Sequence, residues 1–222
     1  MDGTKVNQPI RALGAVLVLV VALVMAVPGA GLAHAAPAAP AWDAISIGDP
    51  AAPGQIDLYL DPLCLYSGKM IQAQGAEMGD RIEAGTLHVN LRFVDFLDKH
   101  SASGNYDYRA IYATYVVAGQ SQSSDITWRF IQQIFSAEHQ PKKNGPTDLS
   151  NDQLAALAQQ VGAPQPAQDL IRFGFPIGYD PRAIAASNLT LLRQLPESSV
   201  PRVVIDGRAV DGESDWLDQL PG

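Results

Sequence analysis

The sequence has 222 residues, a length that suits one domain carrying an insertion plus a targeting segment. It is 47% hydrophobic and 17% charged, the balance of a folded chain, and its formal net charge of -8 disfavours nucleic acid and anionic lipid headgroups as partners. Cys64 is the single cysteine, which excludes an internal disulfide.

Lys5 and Arg11 stand before an uninterrupted apolar run from Leu13 to Val27, followed by Pro28, Gly29 and the small-residue triplet Ala33-His34-Ala35. That layout reads as a secretory signal over residues 1–35, with Ala36 as the first mature residue. The alternative is a retained single membrane anchor, because tolerating Pro28 and Gly29 stretches the apolar span to the roughly 20 residues a bilayer helix needs. Either reading exports the remainder, secreted or held on the outer face of the cytoplasmic membrane. No cysteine closes the run, so a lipid anchor is not indicated. Removing Asp2, Lys5 and Arg11 with the signal leaves a charge of -9. Residues 36–41 are an Ala/Pro leader too poor in large apolar groups to pack, and the folded domain is placed at 42–222.

Gln55 to Leu60 alternates apolar and polar residues as a half-buried strand does. Ile71, Gly75, Met78 and Ile82 then recur at helical spacing, and Gly85 supplies the stop. Leu87 to Phe93 is the strictest alternation in the chain, so the first half is a strand-helix-strand unit. The middle, from about 104 to 175, reads as a helical insertion. Tyr108, Ile111, Tyr112 and Tyr115 form one stripe, and Ile126, Phe130 and Ile134 form a second that carries Trp128. After a polar loop from Gln140 to Thr147, Ser150 and Gln153 make a capping box for a helix faced by Leu154, Leu157, Ala158 and Val161 and ended at Gly162. Asp180-Pro181 starts another helix, faced by Ile184, Asn188, Leu191 and Leu195. Arg202 to Ile205 is a β-branched run closed by Asp206-Gly207, the signal of a type I′ hairpin, with Ala209-Val210 returning and a short terminal helix from Trp216 to Leu220.

Two segments carry candidate chemistry. In Asp61-Pro62-Leu63-Cys64-Leu65-Tyr66-Ser67 a thiol sits between the end of a strand and the start of a helix, where backbone N–H groups and the helix dipole favour thiolate, the reactive form. In Val200-Pro201-Arg202 a proline stands immediately before a β-run, which makes Val200-Pro201 a candidate cis peptide beside a free strand edge.

In this order, with predicted helices between them, the two segments resemble the thioredoxin superfamily, most closely the oxidoreductases of the DsbA type with their helical insertion. The resemblance runs from about Ile45 to Leu220. It implies a thioredoxin-like α/β fold, a central mixed sheet flanked by helices, with an active-site Cys64 beside a substrate-facing cis-proline at Pro201. Val200 and Tyr66 would help present the substrate. The family's first segment usually reads Asp-x-x-Cys-Pro-x-Cys; this chain keeps Asp61 and Cys64 but has Leu65 for the proline and Ser67 for the second cysteine. Ser67 can donate a hydrogen bond to a thiolate but cannot resolve a mixed disulfide, so a two-cysteine cycle cannot close. Three routes stay open: monothiol exchange in the manner of an isomerase or reductase, a long-lived mixed disulfide with one partner, or a redox-silent binding or membrane-complex subunit that keeps the groove beside Pro201. The implied partners are cysteine-containing exported proteins or a membrane-complex partner.

Nothing else in the sequence competes. His88, His100 and His139 lack metal-ligand spacing, and His88 reads as a solvated strand residue. There is no Gly-x-Ser-x-Gly elbow and no glycine-rich phosphate loop, so neither a metal nor a cofactor is expected. Tyr106, Tyr108, Tyr112 and Tyr115 read as core. Asn188-Leu189-Thr190 is a glycosylation sequon inside a predicted helix, and Asp95, Asp98 and Lys99 read as a solvated strand end.

Overall fold

The computed structural model describes residues 1–3, the backbone of 39–40, and 43–221. The signal or anchor segment and Trp42 lie outside the described residues. Among the described residues no helix is long and apolar enough to cross a membrane. The chain divides into two units, residues 1–32 and 33–222, and the fold is that of the second.

Six strands form one sheet in the order β1-β2-β4-β3-β5-β6, with β1 at Ala39–Pro40, β2 at Ile45–Ile47, β3 at Gly54–Leu60, β4 at Leu87–Phe93, β5 at Arg202–Ile205 and β6 at Arg208–Asp211. The parallel pair β3 and β4 runs in register from Gly54 opposite Leu87 to Leu60 opposite Phe93. Between them the crossover is helix α1 (Leu65–Glu83), which the spacing of Ile71, Gly75, Met78 and Ile82 buries along one stripe. Gly85, at φ +71°, supplies the left-handed turn that returns the chain to β4. At the far edge, Asp206 and Gly207 both adopt positive φ, as the type I′ hairpin between β5 and β6 requires.

The insertion after β4 supplies four helices, α2 (Tyr106–Ser121), α3 (Ser124–Ile134), α4 (Asn151–Gln160) and α5 (Gln165–Phe173), ahead of a fifth that leads to β5. The capping box of α4 is present in both directions between Ser150 and Gln153. Trp128 of α3 donates its indole N–H to the carbonyl of Gly75 and so fastens the insertion to α1. Helix α6 (Pro181–Leu192) begins with Asp180 accepting from the Arg182 N–H, and its Asn188 amide donates to the carbonyl of Phe93. One face of the sheet, with Ile56, Leu58 and Leu60, joins α1, α2 and α3 in the main core; on the other, Tyr59 and Val204 meet Leu192 of α6. The mixed sheet with a helical insertion expected from the sequence is what the chain forms.

Several local expectations are corrected. His88 is buried, not solvated: its ring bonds the Ser46 hydroxyl of β2 at 2.7 Å and the Gln55 amide oxygen of β3 at 2.8 Å, so side chains of both flanking strands bridge over it. Asp98 is likewise buried, because the start of α2 folds over it. Strands β1 and β2 and helix α5 were not anticipated: β1 falls within the leader read over 36–41 and pairs with β2 through its backbone, β2 is too short for alternation to register, and α5 follows Pro164 within a stretch read only as the end of the insertion. The terminal helix is a single 3-10 turn at Trp216–Gln219. Tyr106, Tyr112 and Tyr115 are core, while Tyr108 is half-buried.

Candidate active site

Antiparallel pairing of β3 with β5 brings Tyr59 opposite Arg202, so the chain leaves β3 where it enters β5. The turn Asp61-Pro62-Leu63-Cys64 and the turn Val200-Pro201 therefore share one end of the sheet. The Val200-Pro201 peptide bond is cis, as its place in the sequence suggested. The Cys64 thiol points at the Val200 carbonyl oxygen, 3.5 Å away. Cys64 is also the N-cap of α1, with extended φ and ψ of -74° and 117°. Gly212 lies behind the proline turn, where a Cβ would come within 2.9 Å of Pro201 and 3.1 Å of the Met70 sulfur.

The sulfur is not openly displayed. Cys64 is 7% exposed and belongs to a small apolar cluster with Tyr59, Val94, Leu192, Val200 and Val204. The residues that follow it are the accessible ones, with Leu65 at 59% and Tyr66 at 51%. Lys69 lays its ammonium 5.1 Å from the centre of the Tyr66 ring.

Ser67 is fully buried, and its hydroxyl accepts from the Asp61 N–H at 3.4 Å, so it braces the turn. Asp61 does more of that work. Its carboxylate accepts from the N–H groups of Leu63 (3.0 Å) and Leu97 (3.1 Å), and its carbonyl accepts from the Cys64 N–H (3.0 Å).

Three contributors were not found from the sequence. Asp107, in the first turn of α2, is fully buried and faces Asp61; among the described residues no N–H or hydroxyl donor reaches either of its oxygens. The Asp107 carboxyl is pushed up by burial and then by the charge of Asp61, with Asp98 and Asp95 adding to it. Asp61 is pushed up too, by its own burial, against the opposing pull of its two backbone bonds. Asp107, which has no other donor, is satisfied when a proton is shared between it and the facing Asp61 in this dry site. The second contributor is Gln140, whose amide N–H group donates to the carbonyls of Pro62 (3.1 Å) and Cys64 (2.9 Å). The third is Gly68, whose missing side chain leaves room for that amide; a Cβ there would overlap it. An acid early in a helix reads as a dipole partner and a glutamine in a loop reads as solvated, so neither gave a signal of its own. Among the described residues no group of three His, Cys, Asp or Glu side chains could hold a metal ion.

A thiol at a helix mouth, aimed at a cis-proline turn across a mixed sheet with a helical insertion, is a thioredoxin-like arrangement, and it is the fold that this chain shares with DsbA-like thiol-disulfide oxidoreductases. Among solved structures it is similar to MdbA, a thiol-disulfide oxidoreductase, from Corynebacterium matruchotii: 26% identity, a TM-score of 0.70, and coverage of 85% of this chain and 92% of that one. The Corynebacterium diphtheriae MdbA gives 29%, 0.69, 84% and 93%. The fold also matches reduced DsbA from Mycobacterium tuberculosis at a TM-score of 0.62, with 24% identity over 76% of this chain and 85% of that one. Among curated proteins the chain is 32% identical over 182 residues to the serine/threonine-protein kinase PknE of Mycobacterium tuberculosis and Mycobacterium bovis, covering 81% of this chain and 32% of the relative. The chain thus spans about a third of the length of the curated relatives it matches. No family model matches it.

Proposed function

We propose that this chain is an exported thiol-disulfide exchange protein of the cell envelope that works through one sulfur, with cysteine-containing exported proteins as its substrates. The observation that carries this reading is the Cys64 thiol at 3.5 Å from the Val200 carbonyl in a chain with no second cysteine. The Cys64 thiolate would attack one sulfur of a substrate disulfide, forming a Cys64-substrate disulfide and releasing the other substrate sulfur as a thiolate. A thiolate of the same substrate would then attack the mixed disulfide at the substrate sulfur and return Cys64 as thiolate, giving isomerisation; with a small thiol instead, one equivalent returns Cys64 and leaves a substrate–small-thiol disulfide, and a second equivalent displaces the substrate thiolate and forms the small thiol's own disulfide, giving reduction. Electrons balance within the substrate or the small thiol. Val200 and Pro201 would present the substrate chain, Tyr66 would contact it, and Ser67 would hold the turn.

A second reading, a redox-silent binding subunit, is favoured by the burial of Cys64 in its apolar cluster. Trapping settles between them. Cell-envelope extract quenched with acid and alkylated should yield adducts of the native chain that disappear on reduction and are missing with Cys64→Ser. Recovery of the same proteins by both forms, through no disulfide, would replace the exchange reading with the binding one.

A further inference from the structure

The chain carries five lysines, and the four that fall among the described residues, Lys69, Lys99, Lys142 and Lys143, stand on segments that meet around the Cys64 turn. Lys142 and Lys143 line a groove of about 430 Å³ whose floor and walls include Leu63, Leu65 and Gln72. Gln140, two residues earlier, is bonded to the Cys64 backbone carbonyl, so this groove adjoins the Cys64 turn. Lys69 covers the Tyr66 ring on the next turn. The segment of Lys99 is tied to that of Lys143 through Asn144, whose N–H donates to the His100 carbonyl at 2.7 Å.

These charges are unspent. Among the described residues, ion pairs engage Arg81, Arg92, Arg109, Arg129, Arg172, Arg182 and Arg202, but none of the lysines. No acid lines the groove. The nearest in sequence, Glu138, faces His139 at 3.8 Å, and Asp61 and Asp98 are buried beneath the surface. In a chain of net charge -8 a local positive rim is the exception, and the apolar floor with exposed Leu65 and Tyr66 is its counterpart.

We infer that the groove is a subsite for the substrate polypeptide, selecting a segment in which an apolar side chain lies next to the reacting cysteine and carboxylates flank it. This rests on the exchange reading for its biological meaning but not for its test. The apolar side chain would fill the space between Leu63, Leu65 and Gln140, while Asp or Glu side chains would meet Lys142, Lys143 and Lys69. The rest of the acidic surface would repel anything not aligned with this opening, so attraction is confined to the place where the sulfur is reached.

The test is non-covalent binding to the full chain, read by fluorescence anisotropy with three labelled hexapeptides: Glu-Asp-Leu-Ser-Leu-Gly, Gln-Gln-Leu-Ser-Leu-Gly and Lys-Lys-Leu-Ser-Leu-Gly. Serine replaces cysteine in each, so thiol chemistry plays no part. The acidic probe should bind about fivefold tighter than the neutral one, as two or three exposed ion pairs allow, and the margin should shrink with added salt. The double variant K142Q/K143Q should remove most of that margin, while R129Q/R208Q, matched in charge, should leave it in place. Equal binding of the three probes, a preference for the basic one, or a margin unchanged in K142Q/K143Q would overturn the inference, as would a dimer that buries the groove in sedimentation at the same concentrations. Selective binding together with failure to trap any mixed disulfide would leave the subsite standing and remove the exchange reading instead.

Discussion

Cys64 Sγ lies 3.5 Å from the carbonyl oxygen of Val200, a residue 136 positions further along the chain. The contact exists because β3 ends where β5 begins, and it makes Cys64 part of two structures at once, the N-cap position of α1 by its backbone and the proline turn by its thiol. Serine is a good N-cap and alanine a poor one, so Cys64→Ser is expected to be more stable than Cys64→Ala by about 1 kcal/mol in urea unfolding. The reverse order would mean that the apolar cluster around the sulfur, with Tyr59 and Val204, outweighs its capping place.

Gly68 and Gln140 form a matched pair. In the native background Gly68→Ala should displace the Gln140 amide and cost about 1–2 kcal/mol through two lost bonds to the Pro62 and Cys64 carbonyls, in spite of the better helix propensity of alanine. In a Gln140→Ala background the same change should be neutral or stabilising. A double-mutant cycle in denaturant checks this, and additive effects would show that the clasp is not what Gly68 serves.

The facing carboxyls Asp61 and Asp107 set a pH dependence. Both titrate above their ordinary range in the folded chain, so the folded state holds more protons than the unfolded one once pH exceeds that range. Their contribution is therefore best at low pH and is lost as pH rises through neutrality, a negative slope of stability against pH. Asp107→Asn gives Asp61 a neutral amide donor in place of a competing acid. It should flatten that slope and raise stability at pH 8 by about 1–2 kcal/mol, measured as unfolding midpoints from pH 5 to 9. A variant less stable than the native chain at pH 8 would argue that holding a proton on the pair costs nothing at that pH.

Gly212 backs the proline turn from the other side. With 2.9 Å between its hypothetical Cβ and Pro201, and the Met70 sulfur 3.1 Å away, Gly212→Ala should push the turn off its seat and cost about 1–3 kcal/mol. The rate of mixed-disulfide formation with a small aromatic disulfide should fall with it. Gly178→Ala, where a Cβ meets nothing, is the control and should change neither.

Most of the frame was legible because it is written in local periods and punctuation. The alternation of Leu87 to Phe93, the helical spacing after Cys64, the Ser150 capping box, Asp180-Pro181 and the Asp206-Gly207 hairpin each depend on neighbours within a few residues, and each is found where it was expected. The short β2 and the helix α5 escaped because three residues cannot show a period and because Pro164 reads as a break before it reads as a helix start.

The sequence by itself determined the fold class of the molecule and the position of its single thiol, since one cysteine between a strand and a helix and one proline before a β-run are local facts. Only the tertiary structure decided how deeply that sulfur sits, that Asp107 stands against Asp61, that Gln140 clasps the turn over Gly68, and that Lys142 and Lys143 line a groove with Leu63 and Leu65. Burial and charge environment are sums over residues distant in the chain, and no local pattern records which of them folding will bring together.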